Sequence, residues 1–142
     1  MRAAGTIGIF AVSGDEEERM THFPQRQRKV ERLVPAARML EGAGFEVRRP
    51  FPARWLDAVG PFILLDHFGP ADIAPGAAVG APTHPHAGIE TLTYFIEGRG
   101  KHLDSLGNSS VTGPGEAQWM RAGRGIIHDE GPDEVLLRDG GR

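Results

Sequence analysis

Ile89-Glu90-Thr91-Leu92-Thr93-Tyr94-Phe95-Ile96-Glu97, then Gly98-Arg99-Gly100, then Lys101-His102-Leu103-Asp104-Ser105-Leu106 and Gly107-Asn108, is the run that decides the fold. The first nine residues are rich in Thr, Ile, Tyr and Phe, the types that fit a pleated surface. The glycine-flanked tripeptide supplies a tight turn, and Lys101 to Leu106 continues as the return strand. Downstream, Ser109 to Thr112, Ala117 to Met120, Gly125 to Glu130 and Glu134 to Arg138 read as further strands, separated by Pro114-Gly115 and Gly123. Short strands at regular spacing with turn residues between them predict an antiparallel sandwich or barrel.

Upstream the signals are more varied. Phe45-Glu46-Val47-Arg48-Arg49 alternates apolar and polar, which predicts a strand. Pro61 to Leu65, bounded by Gly60 and Gly69, predicts a buried strand, and Pro70 to Pro82 a loop over one mouth of the fold. Glu31 to Glu41 predicts a short helix ended by Gly42 and Gly44. Residues 1–22 are expected to be a flexible, disordered tail, and residues 23–142 a single all-β domain.

Composition narrows the chemistry. A chain of 142 residues suits one domain. It has no cysteine, which excludes disulfides, zinc-thiolate sites, iron–sulfur clusters and thiol nucleophiles. Any metal must therefore sit on nitrogen and oxygen ligands. The formal net charge of −3, with only one short basic stretch at Arg26 to Arg32, gives no nucleic-acid footprint. No apolar run approaches membrane-spanning length, and a cytoplasmic protein is expected.

Two histidine pairs stand out. His84-Pro85-His86 places two imidazoles at i and i+2, on one face of an extended chain. Pro85 favours that extended geometry in the residue before it. His128-Asp129-Glu130 repeats the spacing with an imidazole and a carboxylate. Were the two strands neighbours, three neutral nitrogens and one anionic oxygen would converge, a set that suits Fe(II), Mn(II), Ni(II), Co(II) or Zn(II) with one or two positions open. Spacing alone also fits ordinary surface strands. The other histidines have simpler readings: His67 packed or behind the site, His102 a strand residue, His22 a tail residue.

Three blocks, in order, resemble the pirin family: VGPFILLDHFGPA from Val59 to Ala71, HPHAGIETLTY from His84 to Tyr94, and HLDSLGNSSVTGPGEAQWMRAGRGIIHDE from His102 to Glu130. The resemblance covers about Phe45 to Glu130. It implies a cupin, a small antiparallel jelly-roll barrel, and one metal, iron above all, held by His84, His86, His128 and Glu130. Glu90 stands where many other cupins take their carboxylate and is the runner-up. Two departures are visible: Ala87 stands where the family often has Arg, and typical pirins have two barrels whereas Arg142 falls near the expected linker. The chain thus looks like an N-terminal cupin domain alone, and pairing with a second copy through the surface left open is an expectation.

The resemblance further implies a quercetin or flavonol 2,3-dioxygenase, in which a small aromatic substrate meets O₂ and Glu130 accepts the substrate's hydroxyl proton as the catalytic residue. Phe62, Phe68, Tyr94, Phe95 and Trp119 are candidate walls of such a pocket. The alternative is a non-catalytic, redox-sensitive metal protein acting as a cofactor of transcription or of other protein interactions.

Overall fold

The computed structural model describes residues 29–142; the expected N-terminal tail, His22 included, lies outside them. The described residues divide into two compact units, one of residues 29–38 and Arg48–Asp66, the other of Met39–Val47 and His67–Arg142. Among the described residues, nine strands and one short helix follow in order: β1 (Ala37–Glu41), β2 (Phe45–Phe51), β3 (Leu65–Phe68), β4 (Ala81–His86), β5 (Glu90–Tyr94), β6 (Gly100–Asp104), β7 (Ser109–Thr112), β8 (Ala117–Arg121), β9 (Ile126–Pro132) and α1 (Glu134–Asp139). The chain is all-β and antiparallel, as its turn spacing predicts, with the cupin fold.

The second unit carries the sheets that matter for function. One sheet runs β4-β9-β6-β7 and the other pairs β5 with β8. β9 is central, with β4 on one side and β6 on the other. The face of β5 and β8 that bears Glu90, Leu92, Tyr94, Trp119 and Arg121 lies in solvent, Leu92 opposite Trp119. Its other face bears Gln118, which accepts a hydrogen bond from Ser110 Oγ of β7 at 2.6 Å, and the buried Met120. Met120, Ala122 and Ile126 form a buried apolar cluster in this unit. Tyr94 and Trp119 are therefore outward residues, while Phe95 is half-buried with its ring against Gly100.

In the first unit, Arg49 of β2 grips Asp66 of β3 with Nε on Oδ1 at 2.7 Å and Nη2 on Oδ2 at 2.5 Å. This fork is largely buried, which is where a two-bonded ion pair holds geometry best.

The expected hairpin of Ile89 to Glu97 with Lys101 to Leu106 does not form: β5 pairs with β8, and β6 with β7 and β9. Three further expected elements differ. Glu31 to Glu41 is not a helix: Pro35 removes a backbone donor and crowds the preceding turn, and Ala37–Glu41 is strand β1. Its link to β2 is a tight turn in which Gly44 N–H donates to Glu41 O at 2.9 Å, with Gly42 at a φ of 53°. Pro61 to Leu65 is not a buried strand: Val59 and Phe62 exchange backbone hydrogen bonds around Gly60-Pro61, and Phe62, Ile63 and Leu64 are exposed. Glu134 to Arg138 is a helical turn rather than a strand. The Asp133 carboxylate accepts from Leu136 N–H at 2.8 Å and caps it.

Candidate metal centre

The register of β4 against β9 sets His84 directly opposite His128. His84 and His86 share a face of β4, so three imidazoles project to the same side. His84 Nε2 lies 3.1 Å from His86 Nε2 and 3.0 Å from His128 Nε2. His128 is buried, and His84 and His86 are half-buried.

The tautomer of His84 follows from its neighbour. Its Nδ1 is 2.7 Å from the Pro82 carbonyl oxygen, which can only accept. Nδ1 therefore donates, and in the neutral ring Nε2 keeps a lone pair aimed at the other two histidines. Burial first, then the His84 and His86 rings and more weakly His102, hold His128 down to about 4. His86 is lowered for the same reasons, burial leading and His84 adding, with Glu130 opposing. At neutral pH these rings are uncharged and carry lone pairs, the form that binds metal.

The spacing also fits an ion. Nitrogens bonded at about 2.1 Å and at right angles lie about 3.0 Å apart, against about 3.4 Å at tetrahedral angles. The observed 3.0 and 3.1 Å, from His84 Nε2 to each of the other two, are spacings that nitrogens sharing one ion would have.

Glu130 is placed differently. It lies two residues beyond His128 on β9, opposite His102 of β6. Its Oε1 is 4.0 Å from His128 Nδ1, on the side of the ring away from His84. The donor atoms thus fall into two groups sharing one ring: His84, His86 and His128, and His102, His128 and Glu130. The carboxylate is one-third exposed. Glu90 is in neither group. It accepts from Trp119 Nε1 and Arg121 Nε, each at 2.8 Å, on the exposed face of β5 and β8.

Sequence reasoning passed over His102. It is buried, its Nδ1 is 3.4 Å from His128 Nδ1, and its Nε2 is 3.4 Å from Asp104 Oδ2. The signal was present: His102-Leu103-Asp104 has the same i, i+2 spacing as the other two pairs. His67 is half-buried on β3 and in neither group. Beside His86 an open cleft of about 540 Å³ is bordered by Pro85, Ala87, Ser105 and Ile126, among others.

Comparison with known proteins agrees with this reading of the fold. The family model described as Pirin matches residues 44–138. A pirin-like protein of Caulobacter vibrioides is 46% identical over 112 residues, which is 78% of this chain and 38% of that protein. Pirin-like protein 2 of Arabidopsis thaliana is 43% identical over 109 residues, covering 77% of this chain and 32% of that one. A crystal structure of quercetin 2,3-dioxygenase from Acinetobacter baumannii superposes with a TM-score of 0.67 at 35% identity, over 70% of this chain and 33% of the other. The chain spans about a third of the length of the curated relatives it matches.

Proposed function

Because the chain belongs to the pirin family, we propose that His84, His86 and His128 hold a divalent metal, iron(II) first, and that the centre serves oxygen-dependent cleavage of a flavonol-like substrate. The observation that carries this is the convergence of three Nε2 atoms at 3.0 and 3.1 Å. Similarity to the quercetin 2,3-dioxygenase structure from Acinetobacter baumannii supports the reaction class. Glu130 completes the set by turning from His128 Nδ1 toward the Nε2 side, where it already opposes the lowering of His86.

An ion held there supplies Lewis acidity toward a chelating hydroxyl and electron exchange with dioxygen. The protein's own part is positioning and proton handling. The cleft beside His86 receives a flat aromatic ring against Pro85, Ala87 and Ile126. The carboxylate of Glu130 accepts the proton that the substrate hydroxyl gives up. His84, pinned through Nδ1 to Pro82 O, holds the β4 side of the site fixed.

Two measurements test the reading. Elemental analysis should find about one transition-metal ion per chain, reduced in Glu130→Gln and unchanged in Glu90→Gln. Protein loaded anaerobically with Fe(II) and mixed with quercetin and air should consume O₂ above a His128→Ala control. Equal consumption in both removes the enzymatic reading.

A further inference from the structure

The outward face of β5 and β8 is apolar at its centre and charged at one end. Leu92 and Trp119 stand opposite each other, 55% and 68% exposed, with Tyr94 further along β5 at 61%. Neither strand supplies a member of either histidine group, so this face has no part in the metal centre.

Trp119 lies in water, yet its ring is held. Its Nε1 donates to Glu90 Oε2 and Arg121 Nε donates to Glu90 Oε1, each at 2.8 Å. An exposed aromatic that is already fixed loses little freedom when a partner covers it. Trp, Tyr and Arg are also the residue types that dominate binding at protein interfaces.

The register shows which partner fits. The opposed pairs along the face are Glu90 with Arg121, Leu92 with Trp119 and Tyr94 with Ala117. They set acid against base, a branched chain against a flat ring, and a large side chain against a small one. A twofold axis running between the two strands, and along them, lays β5 of one copy over β8 of the other. Each residue then meets its complement: Glu90 the partner's Arg121, Leu92 the partner's Trp119, Tyr94 the partner's Ala117. An axis across the strands would instead stack Trp119 on the partner's Trp119 and leave Arg121 over the partner's Ala117, with no opposite charge to meet.

Area and charge agree with a second copy. At their exposures these six side chains offer on the order of 700 Å² per copy, near the roughly 800 Å² per partner of a standard interface. One acid and one base leave the face without net charge, so it does not repel its own kind. Sheets packed face to face keep their strands within about 30° of each other, which the axis along the strands satisfies.

We propose that two copies of this chain pair through the outward face of β5 and β8 about that axis, an isologous dimer. The pairing does not rest on the metal reading.

Sedimentation velocity of the whole chain at about 1–100 µM tests it. The parent should dimerise, with the dissociation constant raised about tenfold or more in Trp119→Ser. Leu106, 76% exposed in the turn after β6, lies off the face; Leu106→Ser should stay within about a factor of two of the parent. Glu90→Arg and Arg121→Glu each bring like charges together across the axis, so each alone should be monomeric. Mixed in equal amounts they should pair, because each then supplies the charges the other lacks. Urea midpoints confirm that every variant folds.

A parent that stays monomeric overturns the proposal and leaves the face to a partner of different chemistry. A dimer that keeps its affinity in Trp119→Ser forms through another surface and overturns it too. So does a mixture of the two charge variants that stays monomeric.

Discussion

His128 offers one nitrogen to His84 and the other to His102, and it is buried between them. Its acidity follows from that crowding and sets a pH dependence. In the unfolded chain the ring protonates near 6.5, in the folded chain near 4. Between those values the unfolded state binds the extra proton, so stability falls as pH falls through that window and levels off below it. His86 shifts in the same direction. Metal-free protein should therefore show a lower urea midpoint at pH 5 than at pH 7.5, and equal midpoints would contradict the burial described. Convergence of His84, His86 and His128 was legible because i, i+2 spacing puts side chains on one face. The side-chain turn of Glu130 was not legible, since alternation fixes a face and not a torsion angle. His102-Leu103-Asp104 carried the same spacing, but nothing in it tells which strand becomes the neighbour of β9.

Among the elements, the junction before β4 is the tightest. A Cβ on Gly80 would lie 2.3 Å from Glu130 O and 2.6 Å from Gly131 Cα, both backbone atoms that cannot step aside. Gly80→Ala should cost about 2–3 kcal/mol and weaken metal uptake by prising β4 from β9. Gly113→Ala, whose Cβ would meet nothing nearer than Glu116 Oε2 at 3.7 Å, is the control and should stay close to the parent. Urea denaturation of the two variants side by side checks this, and equal midpoints would count against a close-packed junction. The strands from Ser109 to Glu130 were readable because Gly and Pro mark their ends. Those at the margins were not. Pro35 defeats the helical pattern around it, and Asp133 turns Glu134 to Asp139 into a capped helix although its apolar residues alone suit a strand. In both cases one residue's local chemistry outweighs the pattern of its neighbours.

At the scale of the whole molecule, the proposed ion and the fold stabilise each other. An ion that binds only the folded chain raises stability by about 2.7 kcal/mol when its free concentration is 100 times its dissociation constant. Chelator-treated protein should thus melt at a lower temperature than protein given Fe(II) or Co(II), and the difference should vanish in His128→Ala. A gain that persists in that variant would mean the ion acts elsewhere. The architecture as a whole was readable from turn spacing and from the family resemblance. The exposed face of Leu92, Tyr94 and Trp119 was not, because an alternating strand shows two faces without saying which meets water. The pairing of His84 with His128 joins positions 44 residues apart in the chain. During synthesis on the ribosome, the His84 and His86 rings emerge first and stay a two-toothed claw until β9 has been made and has slotted beside β4. A cation seated afterwards would clasp β4 to β9 across β5, β6, β7 and β8.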